Sequence, residues 1–152
     1  MTQVYDILDK IKDRLRDNPN VFSVTFGDIA DVDLNKTTIF PLTHLVINNV
    51  EFSDSVINFE IDMLSMDILD QSKKEAEFDE FYGNDNLIDI YNTQLQVVND
   101  IIQQFRRGGL FAENYQLLEN PVATPFKDRY ENVLAGWEVG IRVSISNDIS
   151  IC

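Results

Sequence analysis

The sequence predicts an α+β fold in which an antiparallel β-sheet with a long hairpin carries two helices on one face. Three observations support this class. Apolar and polar residues alternate strictly over residues 137–146, as in a strand that is buried on one side. Residues 4–15 and 87–105 instead repeat their apolar positions every three or four residues, as amphipathic helices do. The predicted order α-β-β-β-α-β-β groups the strands, which favours an antiparallel sheet.

The first predicted helix, residues 4–15, ends at the Asp-Asn-Pro-Asn breaker of residues 17–20. Residues 21–26 then alternate, which predicts a strand. Its apolar face consists of Phe22, Val24 and Phe26. Residues 27–38 form a polar loop in this interpretation.

Residues 39–52 and 56–69 are predicted to form the long hairpin around a turn at 53–55. The second strand changes phase: its apolar set is first Ile57, Phe59, Ile61 and Met63, and then Leu64, Met66 and Ile68. A phase change of one residue predicts a β-bulge, or a strand that leaves its own sheet to pair elsewhere. Leu64, Met66 and Ile68 are therefore candidate interaction residues.

The second predicted helix begins near residue 87 and ends with Arg106, Arg107 and two glycines. Its predicted apolar stripe is Leu87, Tyr91, Leu95, Val98, Ile102 and Phe105. We expect a short strand over 110–118, a loop at 119–125, and a hairpin or one bent strand over 126–146. The chain is interpreted as a single domain, residues 1–152, with an acidic loop at about 70–86.

The formal net charge is −14, from 26 acidic and 12 basic residues. This balance argues against tight binding to a nucleic-acid backbone or an anionic membrane, since both depend on Lys and Arg. Cys152 is the single cysteine, so no disulfide within the chain is expected. The sequence shows neither a signal-peptide pattern nor a membrane-spanning apolar run, and we expect a soluble protein made in the cytoplasm.

The sequence contains few candidates for catalytic or metal-ligating residues. His44, the single histidine, lies inside a predicted strand, which favours a hydrogen-bonded structural role over general-base catalysis. Residues 31–35 begin like a calcium loop, but Lys36 stands where glycine is needed and Leu42 where a bidentate glutamate is needed. The expectation is a protein without catalytic residues, cofactor or metal, which is not an enzyme.

An aromatic group among acidic residues is the most informative part of the 70–86 loop. Phe78, Phe81 and Tyr82 lie three and four residues apart within 75–83. They are candidate anchors for a partner protein, because aromatic residues dominate interface energetics. The alternative is that the loop folds back and these rings cover the protein's own core.

A family resemblance rests on the end of the chain and on the order of elements. The residues that carry it are Pro125-Phe126, then residues 132–137, then the alternating strand that follows. Together they resemble the small tail-terminator, tail-completion and head–tail neck ring proteins of tailed bacteriophages. The abundance of Asn, Asp and Ile is similar to that of crAss-like phages.

The resemblance implies a structural virion protein of the tail or neck. Such proteins form rings, commonly of six or twelve copies, that contact portal, connector or tail-tube proteins. DNA passes through the lumen without specific binding, and no catalytic residue or cofactor is implied. The acidic net charge agrees with a lumen that repels phosphate.

Two other interpretations stay open from the residues. The first is an acidic soluble binding module, of an inhibitor or DNA-mimic type, which requires carboxylates in a regular row. The second is a metal-dependent hydrolase, which requires convergence of carboxylates from Asp28, Asp31, Asp33 or Glu60.

Overall fold

The computed structural model describes residues 3–28, 39–69, 87–112, 114–127 and 134–147. Within them lie the helices α1 (Gln3–Arg16), α2 (Leu87–Arg107) and the single-turn α3 (Gly109–Ala112). The strands are β1 (Ser23–Phe26), β2 (Leu42–Phe52), β3 (Val56–Ile68), β4 (Gln116–Leu118), β5 (Ala123–Lys127) and β6 (Leu134–Ser146). The predicted α+β class is confirmed.

The strands form one sheet in the order β1-β2-β3-β6-β4, and β5 pairs with the same edge of β6 as β4 does. All pairs are antiparallel except β1 and β2, which are parallel. The expectation of a purely antiparallel sheet is therefore wrong at this edge. Residues 27–41, which join β1 to β2, are about as long as a parallel crossover requires. The β2–β3 and β5–β6 connections instead join antiparallel neighbours, and both β4 and β5 pair antiparallel with β6.

The predicted hairpin of β2 and β3 is confirmed, with pairs from Leu42↔Met66 to Phe52↔Ile57. Its register shifts by one residue between Ile47 and Asn49, so the bulge lies in β2. β3 itself is regular and pairs without interruption with β6, from Val56↔Ser146 to Ile68↔Leu134. The prediction that β3 is bulged, or leaves its sheet, is wrong.

The phase change in β3 has a different cause, which is burial of opposite faces at the two ends of the strand. Ile57 through Met63 place alternate side chains under α1 and α2, in a core with Ile11, Val97, Ile101 and Phe105 among its members. Leu64 and Met66 point to the opposite face. There they belong to a second cluster with Leu42 and Leu134, flanked by Ile39, Phe40, Ile68 and Phe126.

Helix α2 buries a stripe that is shifted from the predicted one. Leu95, predicted to face the core, is 43% exposed, and its neighbour Gln94 is 1% exposed. The buried residues of the helix are Ile90, Gln94, Val97, Val98, Ile101 and Phe105. Two apolar stripes overlap in this sequence, and packing against the sheet selects the one that contains Val97 and Ile101.

The segment after α2 also differs from expectation. Residues 110–118 begin in the helical turn α3, and only Gln116–Leu118 is a strand. β5 starts at Ala123, inside the predicted loop, and pairs with β6 from Ala123↔Val139 to Lys127↔Ala135. This pairing confirms the hairpin alternative for residues 126–146. Pro125 is compatible with its place because β5 is an edge strand.

Candidate functional site

His44 joins the parallel edge strand to the rest of the sheet. Its ring is fully buried, with Nδ1 2.6 Å from the Thr25 hydroxyl and Nε2 2.7 Å from the Gly27 carbonyl oxygen. A carbonyl oxygen only accepts, so Nε2 carries the proton and Nδ1 accepts the bond that Thr25 donates. Burial lowers the pKa of His44, against opposing contributions from the Gly27 carbonyl and Asp28. The prediction of a hydrogen-bonded strand histidine is confirmed.

A buried polar group between α2 and the sheet was not predicted. The Ser65 hydroxyl donates a 2.7 Å hydrogen bond to Gln94 Oε1, and both residues are almost completely buried. Thr43 lies directly opposite Ser65 in the sheet. Gln94 Nε2 and Thr43 Oγ1 have no hydrogen-bond partner among the described residues.

This polar group fixes the position of the helix on the sheet. A slide of α2 along β3 would break the bond from Ser65 and leave both groups unpaired in an apolar surrounding. The signal in the sequence was Gln94 itself, which lies at helical spacing from Ile90, Val97 and Ile101. The stripe through Leu95 fits helical spacing equally well and consists entirely of apolar and aromatic residues, so it was the one predicted to be buried.

The candidate interaction residues fall into two groups. Leu64 and Met66 are 7% and 0% exposed, and Ile68 is half-buried beside them. Both edges of β3 are hydrogen-bonded within the chain, so this strand is not available to complete a neighbour's sheet. Phe78, Phe81 and Tyr82 lie outside the described residues, as do residues 31–35.

Away from the second apolar cluster, the sheet face opposite the helices is polar and carries several acids. Arg142 contacts the carboxylates of Glu119 at 3.0 Å and Glu51 at 3.4 Å. Glu60 accepts a 2.9 Å hydrogen bond from Asn49 across the β2–β3 pair. This acidic face is defined by Glu51, Glu60, Asp62 and Glu119, with Arg142 in their midst.

A polar groove of about 490 Å³ separates the α1–β1 turn from α2. It is lined by the turn residues 17–20 and by Gln96, Asn99, Asp100 and Gln103. These groups are amides and carboxylates, which suit water and weakly held polar ligands. In the described part of the chain, no three His, Cys, Asp or Glu side chains are grouped to hold a metal ion.

Two exposed aromatic side chains lie in or beside β1. Phe22 is 68% exposed and Phe26 is 54% exposed, while Val24 between them packs against the main core. No further described strand pairs with the outer edge of β1. The segment thus combines an open strand edge with aromatic surface, the combination that marks an interaction site.

Comparison with known proteins adds no assignment. No protein-family model matches the chain, and a search of curated proteins finds no significant similarity. The helices that the structure describes include none that is long and apolar enough to cross a membrane.

Proposed function

We propose that this protein is a non-enzymatic structural component of a tailed-phage virion that forms an oligomeric ring in the head–tail connector or tail. The order of elements supports this proposal. An N-terminal helix precedes a long hairpin, a second helix packs on the sheet, and a closing pair of strands follows. That order is the one on which the resemblance to tail-terminator and neck ring proteins rests.

The acidic face is the single observation that carries the proposal furthest. Four carboxylates, Glu51, Glu60, Asp62 and Glu119, lie around Arg142, and a second base, Arg106, donates to the Glu119 carbonyl oxygen at 3.1 Å. A surface of this sign repels phosphate, so DNA can pass it without being held. In the proposed ring this face lines the lumen, and the copies contact portal, connector or tail-tube proteins above and below.

The copy number and the partners define the first test. Purified protein, alone and with the neighbouring neck proteins, is examined by negative-stain microscopy and native mass measurement. We expect closed rings of six or twelve copies in at least one of these samples. A protein that stays monomeric in both, at high concentration, contradicts the proposal.

The lumen face has its own test. We reverse its charge with Glu60→Lys and Asp62→Lys, and make the same charge change on α1 with Asp9→Lys and Asp13→Lys as a control. Asp9 and Asp13 are exposed, and α1 lies on the other side of the sheet. DNA retention by the assembled ring is expected to rise much more for the face variant than for the control. Equal retention by the two variants argues against a lumen at this face.

The binding-module alternative makes a different demand on the same residues. A DNA mimic needs free carboxylates in a row about one phosphate spacing apart. Here Glu51 and Glu119 are both paired with Arg142, and Glu60 with Asn49, which interrupts such a row. The ring is therefore the preferred proposal. If the protein competes with DNA for binding to a host nuclease or polymerase, that result favours the DNA-mimic alternative over the ring.

A further inference from the structure

The exposed edge segment, residues 22–26, has a sequence that is symmetric about its centre. It reads Phe-Ser-Val-Thr-Phe, so an aromatic, a hydroxyl and an apolar residue are followed by a hydroxyl and an aromatic. The two aromatic side chains are the exposed Phe22 and Phe26. Reversing the direction of the strand leaves the chemical pattern unchanged.

The main chain of this segment presents its hydrogen-bonding groups outward at the same centre. Phe22 N and Ser23 N both donate to Pro41 O, at 2.9 and 3.1 Å, and Gly27 N donates to Leu45 O at 3.0 Å, all toward β2. The regular alternation therefore begins at Ser23, the first residue of β1. Peptide groups alternate in direction along a strand. The N–H and C=O groups of Val24 therefore point to the outer edge of the sheet, as does the N–H of Phe26.

From these two observations we infer that β1 pairs with β1 of a second copy of this chain, antiparallel and about a two-fold axis at Val24. The two Val24 residues then exchange N–H···O=C bonds, as a hydrogen-bonded antiparallel pair does. Phe22 of each copy lies opposite Phe26 of the other on one face, and Ser23 lies opposite Thr25 on the other face. Aromatic cross-strand pairs are among those that stabilise sheets.

The charge distribution favours this edge over the opposite one. Residues 22–26 contain no charged residue in a chain with a net charge of −14, so the pairing brings no carboxylates together. At the far edge of the sheet, β4 is three residues long and β5 contains Pro125 and Lys127. Proline, lysine and a short strand each protect a sheet edge from pairing. β1 is short, but it contains neither proline nor lysine.

The two-fold contact is separate from the contact that closes a ring. An isologous pair joins two copies and stops, whereas a ring requires a head-to-tail contact between different surfaces. A protein that has both contacts forms two rings back to back. The inference therefore holds or fails independently of the proposed function, and the two give different masses in solution.

The first experiment measures mass in solution from micromolar to near-millimolar protein, by sedimentation equilibrium and native mass spectrometry. The contact is short, so we expect wild-type association to reverse on dilution. The variant Phe22→Lys/Phe26→Lys places lysine opposite lysine across the two-fold axis and is expected to halve the assembly mass. Phe52→Lys changes a phenylalanine of the β2–β3 hairpin that is more exposed than Phe22 or Phe26; this control is expected to keep the wild-type mass.

A charge swap tests the antiparallel register itself. In Phe22→Lys/Phe26→Asp, each introduced lysine lies opposite an introduced aspartate of the other copy, and the wild-type mass is expected to return. A parallel arrangement would place lysine opposite lysine and aspartate opposite aspartate, and would stay dissociated. A swap variant no heavier than the double-lysine variant overturns the register.

Hydrogen exchange on the wild-type protein keeps the inference testable if a variant does not fold. The Val24 and Phe26 amides are expected to exchange fast in dilute protein and to become protected at high concentration. The inference is overturned if the wild-type protein is monomeric throughout the range, if the double-lysine variant keeps the wild-type mass, or if protection at these amides is independent of concentration.

Discussion

Gly136 of β6 leaves no room for a Cβ beside the backbone of β3, and its replacement is the sharpest test of the packing. It pairs with Met66 of β3 on one side and Phe126 of β5 on the other. A Cβ built on Gly136 would collide with the Ser65 carbonyl oxygen and lie 2.8 Å from Met66 Cα and 2.9 Å from the Ser65 carbonyl carbon. All three atoms are backbone, so no side-chain rotation relieves the collision.

The magnitude follows from the shift that Gly136→Ala demands. Ordinary carbon contacts lie near 3.5–4.0 Å, so β3 and β6 must separate by about 1 Å or more at this pair. Their ladder runs without interruption over the whole of β3, and it is the centre of the sheet. Overpacking of this kind costs about 3 kcal/mol, which is a large part of the stability of a typical domain.

Urea unfolding is monitored by far-ultraviolet circular dichroism and not by fluorescence. Trp137 adjoins the mutated residue, so its fluorescence would report a local change. A loss of about 3 kcal/mol lowers the urea midpoint by about 1–3 M. The melting temperature falls by about 6–12 °C for a chain of this size.

Gly140→Ala is the matched control in the same strand. A Cβ at Gly140 meets only Asp62 Oδ1, at 3.2 Å, and this atom is the end of a side chain that can rotate away. We expect stability within about 1 kcal/mol of the wild-type protein, since loss of a glycine also restricts the unfolded chain. If Gly136→Ala is as stable as Gly140→Ala, the close approach of β3 and β6 is not as described.

Three further predictions concern buried and half-buried polar groups. Ser65→Ala leaves Gln94 Oε1 unpaired in the core and is expected to lower the free energy of unfolding by about 2 kcal/mol, and Ser65→Ala/Gln94→Leu to recover part of that loss in urea titrations. The folded-state pKa of His44 lies below its ordinary value of 6.5, so the unfolded chain binds the proton more readily. Stability from neutral His44 is therefore full above pH 6.5 and is lost as the pH falls below it, and His44→Gln is expected to show a flatter pH dependence of unfolding between neutral pH and the carboxylate range. Burial raises the pKa of Asp67, against the hydrogen bond from Ile68 N, so its charged form is disfavoured in the fold. Asp67→Asn keeps an acceptor for that N–H and is expected to raise the thermal midpoint at neutral pH, with the gain disappearing as the pH falls through the raised pKa.

The long helices and strands follow from local pattern. The 14 residues of α1 and the alternating residues of β6 are found where their periodicities predict them. Helix α2 also begins at Leu87 and ends at Arg107, where the two glycines follow. Local spacing decides these elements because each one buries a single face along its length.

The buried stripe of α2 is a feature that local pattern cannot determine. Both stripes satisfy helical spacing, so the choice between Leu95 and Gln94 depends on what lies across the interface. Ser65 of β3 supplies the partner for Gln94, and it is 29 residues away along the chain. No pattern within the helix contains that information.

The sequence by itself determined the α+β class, the β2–β3 hairpin and a strand environment for His44, because these depend on the period of apolar residues along short segments. Tertiary structure alone decided that β1 runs parallel to β2. It also decided that Leu64 and Met66, in the C-terminal half of β3, are buried on the face opposite the helices. It also decided which atoms His44 contacts. These features depend on where distant segments meet, and the free energy of burying a face is set by the surface that covers it and not by the strand that carries it.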